Sequence, residues 1–165
     1  MADEKIFAVL FLCTHNSARS ILAESIANHV GRGRFLGYSA GSHPAAAPNP
    51  LTLETLRRLR LPTDGLYSKD WAEFAIPGAP RLDFVFTVCD NAAGEVCPVW
   101  PGQPITAHWG VEDPSQFEGS QEARLREFSR VAVLLRRRIE LFASLPLKKL
   151  DRLTLQQKLR DIGTQ

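Results

Sequence analysis

A short segment near the start of the chain combines a cysteine, a polar loop and an arginine. Cys13 follows an apolar run that begins at Ile6, and five residues separate it from Arg19, where a helical pattern begins. The loop's N–H groups and the positive end of the helix dipole would converge on one small space, which favours an anion. Arg19 can add a bidentate contact to a tetrahedral oxyanion. The predicted oxyanion-binding residues are Thr14, His15, Asn16, Ser17, Ala18, Arg19 and Ser20.

The same positive field predicts a lowered pKa and a nucleophilic thiolate for Cys13. The alternative is a buried structural thiol with Arg19 on the surface. The occurrence of strand, cysteine, loop, arginine and helix together favours the nucleophile.

Asp113 is the candidate general acid. A thiolate that attacks a tetrahedral oxyanion must expel an oxygen, and protonation of that oxygen lowers the barrier. The alternative is that Asp113 only begins an Asp-Pro turn with Pro114. Its combination with a Cys-Arg loop favours the catalytic role.

Composition narrows the class of protein. The chain has 165 residues, 44% hydrophobic and 23% charged, as expected for a single globular domain with a full core. A net charge of +2 argues against nucleic-acid or anionic-membrane partners. With neither a membrane-length apolar run nor a signal-peptide pattern, we expect a cytoplasmic protein. Three cysteines, an odd number, then indicate chemistry rather than a disulfide framework.

Alternating strand and helix patterns must position these residues. Apolar runs predict four strands, at 6–12, 34–40, 83–88 and 105–109, and helices between them. We predict an α/β three-layer sandwich, a four-stranded parallel sheet with helices on both faces. Ligands of such sheets bind at the carboxyl ends of the strands. Cys13, Cys89 and Asp113 each follow a predicted strand, so they should lie together at one edge.

Two helices are predicted in the last third of the chain. The longer begins near Ser120, and its arginines form a basic face that is more typical of a solvated surface than of a nucleic-acid site: Arg124, Arg126, Arg130, Arg136, Arg137 and Arg138. We assign 1–146 to the main domain and 147–165 to a C-terminal helical extension, which either docks on the domain or binds a partner. Thr154 and Gln157 have the spacing of a capping box.

The loop sequence, Cys-Thr-His-Asn-Ser-Ala-Arg-Ser from Cys13 to Ser20, with its late Asp-Pro, resembles the low-molecular-weight protein tyrosine phosphatases. The segment 89–98, Cys-Asp-Asn-Ala-Ala-Gly-Glu-Val-Cys-Pro, and the segment 107–114, Ala-His-Trp-Gly-Val-Glu-Asp-Pro, are similar to the arsenate reductases of that fold. The resemblance spans residues from about 5 to 142.

The resemblance implies an arsenical-resistance enzyme with a disulfide relay. Cys13 would attack arsenate in the P-loop held by Arg19, and Asp113 would protonate the departing oxygen. Cys89 would attack Cys13 and release arsenite, and Cys97 would then attack Cys89. Arsenate reduction needs two electrons, which a dithiol can supply by exchange. The resemblance implies no tightly bound cofactor and thioredoxin as external reductant.

Some positions depart from the family pattern. His15 stands where the loop usually has Gly, and His tolerates a positive φ comparatively well. The loop between Cys89 and Cys97 is one residue longer than in the best-known thioredoxin-coupled form, which leaves glutaredoxin with glutathione as an alternative reductant. The resemblance also suggests an alkali-cation site, although its residues have ordinary structural uses: Asn16, Glu24, Ser39 and Asp70.

Competing functions remain open. The first alternative is a phosphatase that acts on phosphotyrosine or small phosphoesters, with phosphate and sulfate as competing anions in either case. The 42–48 loop offers no aromatic wall for a phenyl ring, which disfavours phosphotyrosine. A non-catalytic redox or phosphate-sensing module and a zinc site using His108 with the cysteines are less favoured. We expect a monomer.

Overall fold

Four parallel strands form the centre of the molecule. The computed structural model describes residues 5–89 and 100–165. The sheet contains β1 (Phe7–Cys13), β2 (Phe35–Gly41), β3 (Phe84–Thr87) and β4 (Ile105–His108), in the order β2-β1-β3-β4. Every pair is parallel, and Cys13 lies opposite Gly41 in register. The predicted four-stranded parallel α/β sheet is therefore confirmed.

Helices cover one face of the sheet and shorter elements the other. The described helices are α1 (Arg19–Val30), α2 (Pro50–Arg58), α3 (Gln121–Ala143) and α4 (Arg152–Gly163). Apolar residues of α1, α3 and α4 pack on Phe11, Phe86 and Trp109 in the main core. A 3-10 helix (Trp71–Phe74) and Trp100 pack on the opposite face. The arrangement gives the three layers that the sequence predicts.

Local capping explains where the helices begin. The Asn49 side chain, directly before Pro50, accepts a hydrogen bond from the Leu51 N–H, and the Ser120 side chain accepts one from the Ala123 N–H. The start of the longer helix near Ser120 agrees with the sequence prediction. The capping box predicted from Thr154 is wrong. The carboxylate of Asp151 accepts the Thr154 N–H instead, so α4 begins at Arg152.

Helix α4 docks on the sheet. Leu155, Leu159 and Ile162 are buried in the main core. The indole Nε1 of Trp109 donates a 2.9 Å hydrogen bond to the Leu159 carbonyl. An added Cβ at Gly163 would lie 2.4 Å from the His108 carbonyl oxygen, so the helix approaches β4 as closely as glycine permits. Of the two roles that the sequence leaves open, docking is the one observed.

The basic face of α3 is partly neutralised. Arg130 pairs with Glu127 at 2.7 Å, and Arg136 pairs with Glu140 at 3.3 Å. Arg138, predicted on the solvated face, is instead buried and donates to the carbonyls of Trp109 and Gly110. Among the helices described, none has the length and apolar content needed to cross a membrane.

Candidate active site

The loop between β1 and α1 turns its carbonyls outward. His43 N–H donates to the Thr14 carbonyl, and the backbone N–H groups of Ala45 and Asn49 donate to the carbonyls of His15 and Ser17, at 2.8–3.0 Å. Ser68 Oγ donates to the Asn16 carbonyl at 2.6 Å. In a planar trans peptide the next residue's N–H points the opposite way. The N–H groups of residues 15–18 are therefore directed to the inside of the loop, as an anion site requires.

Two backbone features allow the loop to adopt this conformation. Asn16 has a φ of 48°, a conformation that Asn tolerates better than most residues. His15 has no positive φ, so the tolerance of His for that conformation is not needed at this position. An added Cβ on Gly41 would lie 2.4 Å from the Thr14 carbonyl oxygen, so only glycine fits beside the loop there.

Arg19 reaches across the cleft to the segment after β4. Its Nη1 donates to the Val111 carbonyl at 3.0 Å, and its Nη2 lies 3.5 Å from Asp113 Oδ2. Its Nε is buried and has no hydrogen-bond partner within the part of the chain that the structure describes. An unpaired buried donor is costly unless a ligand satisfies it. The guanidinium is thus held in place by Val111 and Asp113, while its buried Nε donor stays unpaired among the described residues.

Asp113 begins the Asp-Pro turn and also lies close to Arg19. Its Oδ1 accepts the N–H of Ser115 at 2.9 Å and its hydroxyl at 2.7 Å, which starts the 3-10 helix Pro114–Gln116. Its Oδ2 faces Arg19. The Asp-Pro turn therefore aims one carboxyl oxygen at the anion loop.

Cys13 and Cys89 meet beneath the cleft. Both thiols are reduced and buried, and their side chains are hydrogen-bonded to each other. Thr14 Oγ1 lies 3.7 Å from the Cys89 sulfur. The hydrogen bond that the Cys13 thiol makes to Cys89 raises the Cys13 pKa, as does burial, and together they outweigh the lowering by Arg19 and the Thr14 N–H. The predicted low pKa of Cys13 is therefore wrong for this arrangement, because the sequence could not show that a second thiol shares its proton.

A cleft of about 420 Å³ opens above these groups. Its lining contains Thr14, His15, Arg19, Cys89, Val111, Glu112, Asp113 and Gln116. The structure thus brings Cys13, Arg19, Cys89 and Asp113 together at the carboxyl edge of the sheet, although Cys13 does not itself line the cleft. Of the predicted oxyanion-binding residues, Thr14, His15 and Arg19 line the cleft, and Asn16, Ser17, Ala18 and Ser20 do not. Cys97 lies outside the described residues. Sequence reasoning missed Val111 and Gln116, and the position of Val111 directly before Glu112-Asp113 was the available signal.

The residues suggested for an alkali cation do not fit one. Lys69 Nζ lies 3.0 Å from the Ser39 carbonyl oxygen and 3.7 Å from Glu24 Oε1. Glu24 also accepts from Ser39 Oγ at 2.5 Å. Asn16 Oδ1 accepts the Lys69 N–H, and Asp70 Oδ1 accepts the Ala72 N–H. Within the described ranges, no three His, Cys, Asp or Glu side chains form a metal-binding group.

Comparison with known proteins agrees with this geometry. The family model described as low molecular weight phosphotyrosine protein phosphatase matches residues 8–156. The chain belongs to this family. In this member of the family, Cys13, Arg19 and Asp113 lie together at one edge of the sheet.

Several relatives of this phosphatase-family chain are arsenate reductases. It is 34% identical over 137 residues to an arsenate reductase of Shouchella clausii, with 82% of this chain and 94% of the relative covered. A thioredoxin-dependent arsenate reductase of Corynebacterium glutamicum has a similar structure, with 27% identity and a TM-score of 0.58 over 85% of this chain and 65% of that one. An arsenate reductase in a phosphate-binding state shares the fold with a TM-score of 0.69, at 24% identity and over 84% of this chain and 98% of that one.

Proposed function

We propose that this protein reduces arsenate to arsenite by a cysteine relay. One observation carries the proposal: the Cys89 thiol lies in hydrogen-bonding contact with Cys13, below the cleft beside Arg19. Ester hydrolysis needs only the Cys13 thiol, because water completes that reaction. A second thiol within reach supplies what reduction needs, an electron donor that forms a disulfide.

The first step joins sulfur to arsenic. The Cys13 thiolate attacks arsenate held by the inward N–H groups and Arg19, an S–As bond forms, and one oxygen leaves as water after protonation by Asp113. Removal of the shared proton from Cys13 must precede attack, and an incoming anion that displaces Cys89 would end the hydrogen bond that raises the Cys13 pKa.

The second step transfers the electrons. Cys89 attacks the Cys13 sulfur, an S–S bond forms, and the S–As electron pair passes to arsenic, so that As(V) becomes As(III) and arsenite leaves. Cys97 then attacks Cys89, which frees Cys13 as a thiolate and moves the disulfide to Cys89 and Cys97. An external dithiol returns two electrons by the same exchange.

Thioredoxin is the reductant we favour. The C. glutamicum neighbour is described as thioredoxin-dependent, and this chain spans 65% of its length. Glutaredoxin with glutathione is the alternative. Both act where the surroundings keep thiols reduced, in the cytoplasm, and the reduced state of Cys13 and Cys89 suits that compartment.

Phosphoester cleavage is the second candidate, because the family, the anion loop and Asp113 would serve it equally. The cleft lining contains no Phe, Tyr or Trp among the described residues, so a bound phenyl ring would have no aromatic wall. We expect such cleavage as a weak side activity.

Two serine variants separate these functions. The assay follows NADPH oxidation with arsenate, thioredoxin and thioredoxin reductase, and in parallel the hydrolysis of p-nitrophenyl phosphate. We expect Cys13→Ser to lose both activities and Cys89→Ser to lose only arsenate turnover. Equal loss of both activities in Cys89→Ser would make this thiol structural and leave a phosphatase.

A further inference from the structure

Lys69 is a buried cation in a protein that otherwise keeps its lysines at the surface. Only 7% of the residue is exposed. Its ammonium donates to the Ser39 carbonyl at 3.0 Å, lies 3.7 Å from the Glu24 carboxylate, and sits 4.3 Å from the centre of the Tyr67 ring. A lysine is buried in this way only when its charge is compensated. Carboxylate, carbonyl and ring face together provide that compensation.

The backbone of the same residue touches the anion loop. The Lys69 N–H donates to Asn16 Oδ1 at 2.9 Å, and the Lys69 carbonyl accepts the Gly41 N–H at 2.9 Å. The other end of the Asn16 side chain donates to Ser20 Oγ at 2.8 Å. Asn16 is the loop residue in the left-handed conformation, so its geometry depends on these partners.

The Lys69 side chain anchors the residue whose backbone N–H holds Asn16. Its ammonium donates to the carbonyl of Ser39 on β2, the strand whose last residue, Gly41, lies against the loop, and it pairs with Glu24 on α1, which follows the loop. Loss of the ammonium would leave the partly buried Glu24 carboxylate without its cation and would free the segment that holds Asn16.

We infer that the Lys69 ammonium is a built-in cation that positions the oxyanion-binding loop and replaces an exchangeable alkali ion. An alkali ion binds through carboxylate and carbonyl oxygens. In this chain the Glu24 carboxylate and the Ser39 carbonyl are already used by Lys69. The inference concerns the holding of any tetrahedral anion and does not depend on arsenate being the substrate.

Removal of the ammonium tests the inference. Binding of inorganic phosphate is measured by calorimetry, and thermal stability is measured separately, in potassium, methylammonium and choline chloride at matched ionic strength. We expect Lys69→Ala to bind phosphate at least about fivefold more weakly in choline, since small displacements of binding groups are costly. Potassium or methylammonium should restore affinity and Tm, because the freed space is bordered by Glu24 and Ser39. Failure of both cations to restore phosphate binding would overturn the inference.

Two controls sharpen the test. Lys69→Met fills the space with an uncharged chain and should respond to no cation, whereas the exposed Lys149→Ala should bind phosphate like the wild type. The wild-type protein should show the same Tm and phosphate affinity in all three salts. A specific potassium effect on the wild type would contradict the inference even if the Lys69 variants failed to fold. None of these readouts involves arsenate turnover, so failure here is distinguishable from failure of the proposed reductase activity.

Discussion

Cys13 and Cys89 share a hydrogen bond in the buried floor of the cleft, although they lie at the ends of different strands. The parallel pairing of β1 with β3 brings the two cysteines together. Leu12 lies opposite Thr87 in register, and both strands end at the same edge of the sheet. In the proposed mechanism this contact is where the first disulfide would form. It also keeps the proposed nucleophile protonated until the contact is broken.

Removal of Cys89 should therefore make Cys13 more acidic. In Cys89→Ala the largest cause of the raised pKa is gone, while Arg19 and the Thr14 N–H still favour the thiolate. We expect a lower Cys13 pKa and faster alkylation of Cys13 by iodoacetamide at neutral pH. Mass spectrometry of the Cys13 peptide across a pH series measures this. An unchanged alkylation profile would show that Cys89 does not control the thiol.

Stability should fall at alkaline pH because of the same contact. The folded state retains the Cys13 proton above the pKa of an unfolded thiol, about 8.5, where the unfolded chain releases it. The folded state then binds more protons than the unfolded state, so the free energy of unfolding decreases as pH rises, by at most about 1.4 kcal/mol per pH unit. Urea unfolding across pH should show a shallower decrease for Cys13→Ala. Equal slopes would mean that the folded state does not raise this pKa.

The anion loop is the part of the site that sequence predicted best, because its spacing is local. Cys13, Arg19 and the strand and helix that carry them are fixed by short-range patterns. The partners of the loop come from 41–49 and 68–70, and no periodicity reveals which distant N–H meets which carbonyl. The positive φ at Asn16, the burial of Lys69 and the proton shared by Cys13 and Cys89 are all tertiary effects of this kind.

The ends of elements were harder to predict than their existence. Asp151 and Thr154 are both good caps, and only the packing of Leu155 and Leu159 on the sheet selects the start of α4. Arg138 belongs to a basic run in the sequence, yet α3 turns it toward the carbonyls after β4.

Asp113→Asn should slow leaving-group departure. Asparagine can keep the Oδ1 contacts with Ser115 but has no proton of suitable acidity to give. We therefore expect the rate of phenyl phosphate hydrolysis to fall by about 100-fold or more. The loss should be larger for phenyl phosphate than for p-nitrophenyl phosphate, whose leaving group needs less protonation. Steady-state kinetics measure both, with the exposed Glu118→Gln as matched control. Equal losses for the two esters would argue that Asp113 only orients Arg19.

Docking of α4 on the sheet should contribute strongly to stability. Leu159 is fully buried and Leu153, on the same helix, is 84% exposed. We expect Leu159→Ala to lower the free energy of unfolding by about 2–5 kcal/mol, and Leu153→Ala to change it by less than about 0.5 kcal/mol. Denaturant unfolding of both variants gives the comparison. Similar small effects would mean that α4 is not part of the folding unit.

The most direct test of the relay traps its first disulfide. Cys97→Ser is treated with arsenate in the absence of any external thiol, and arsenite is quantified beside peptide mapping by mass spectrometry. We expect about one arsenite per chain and a disulfide linking Cys13 to Cys89. Arsenite release without that disulfide, or no arsenite from a protein that still cleaves p-nitrophenyl phosphate, would contradict the proposed reductase mechanism.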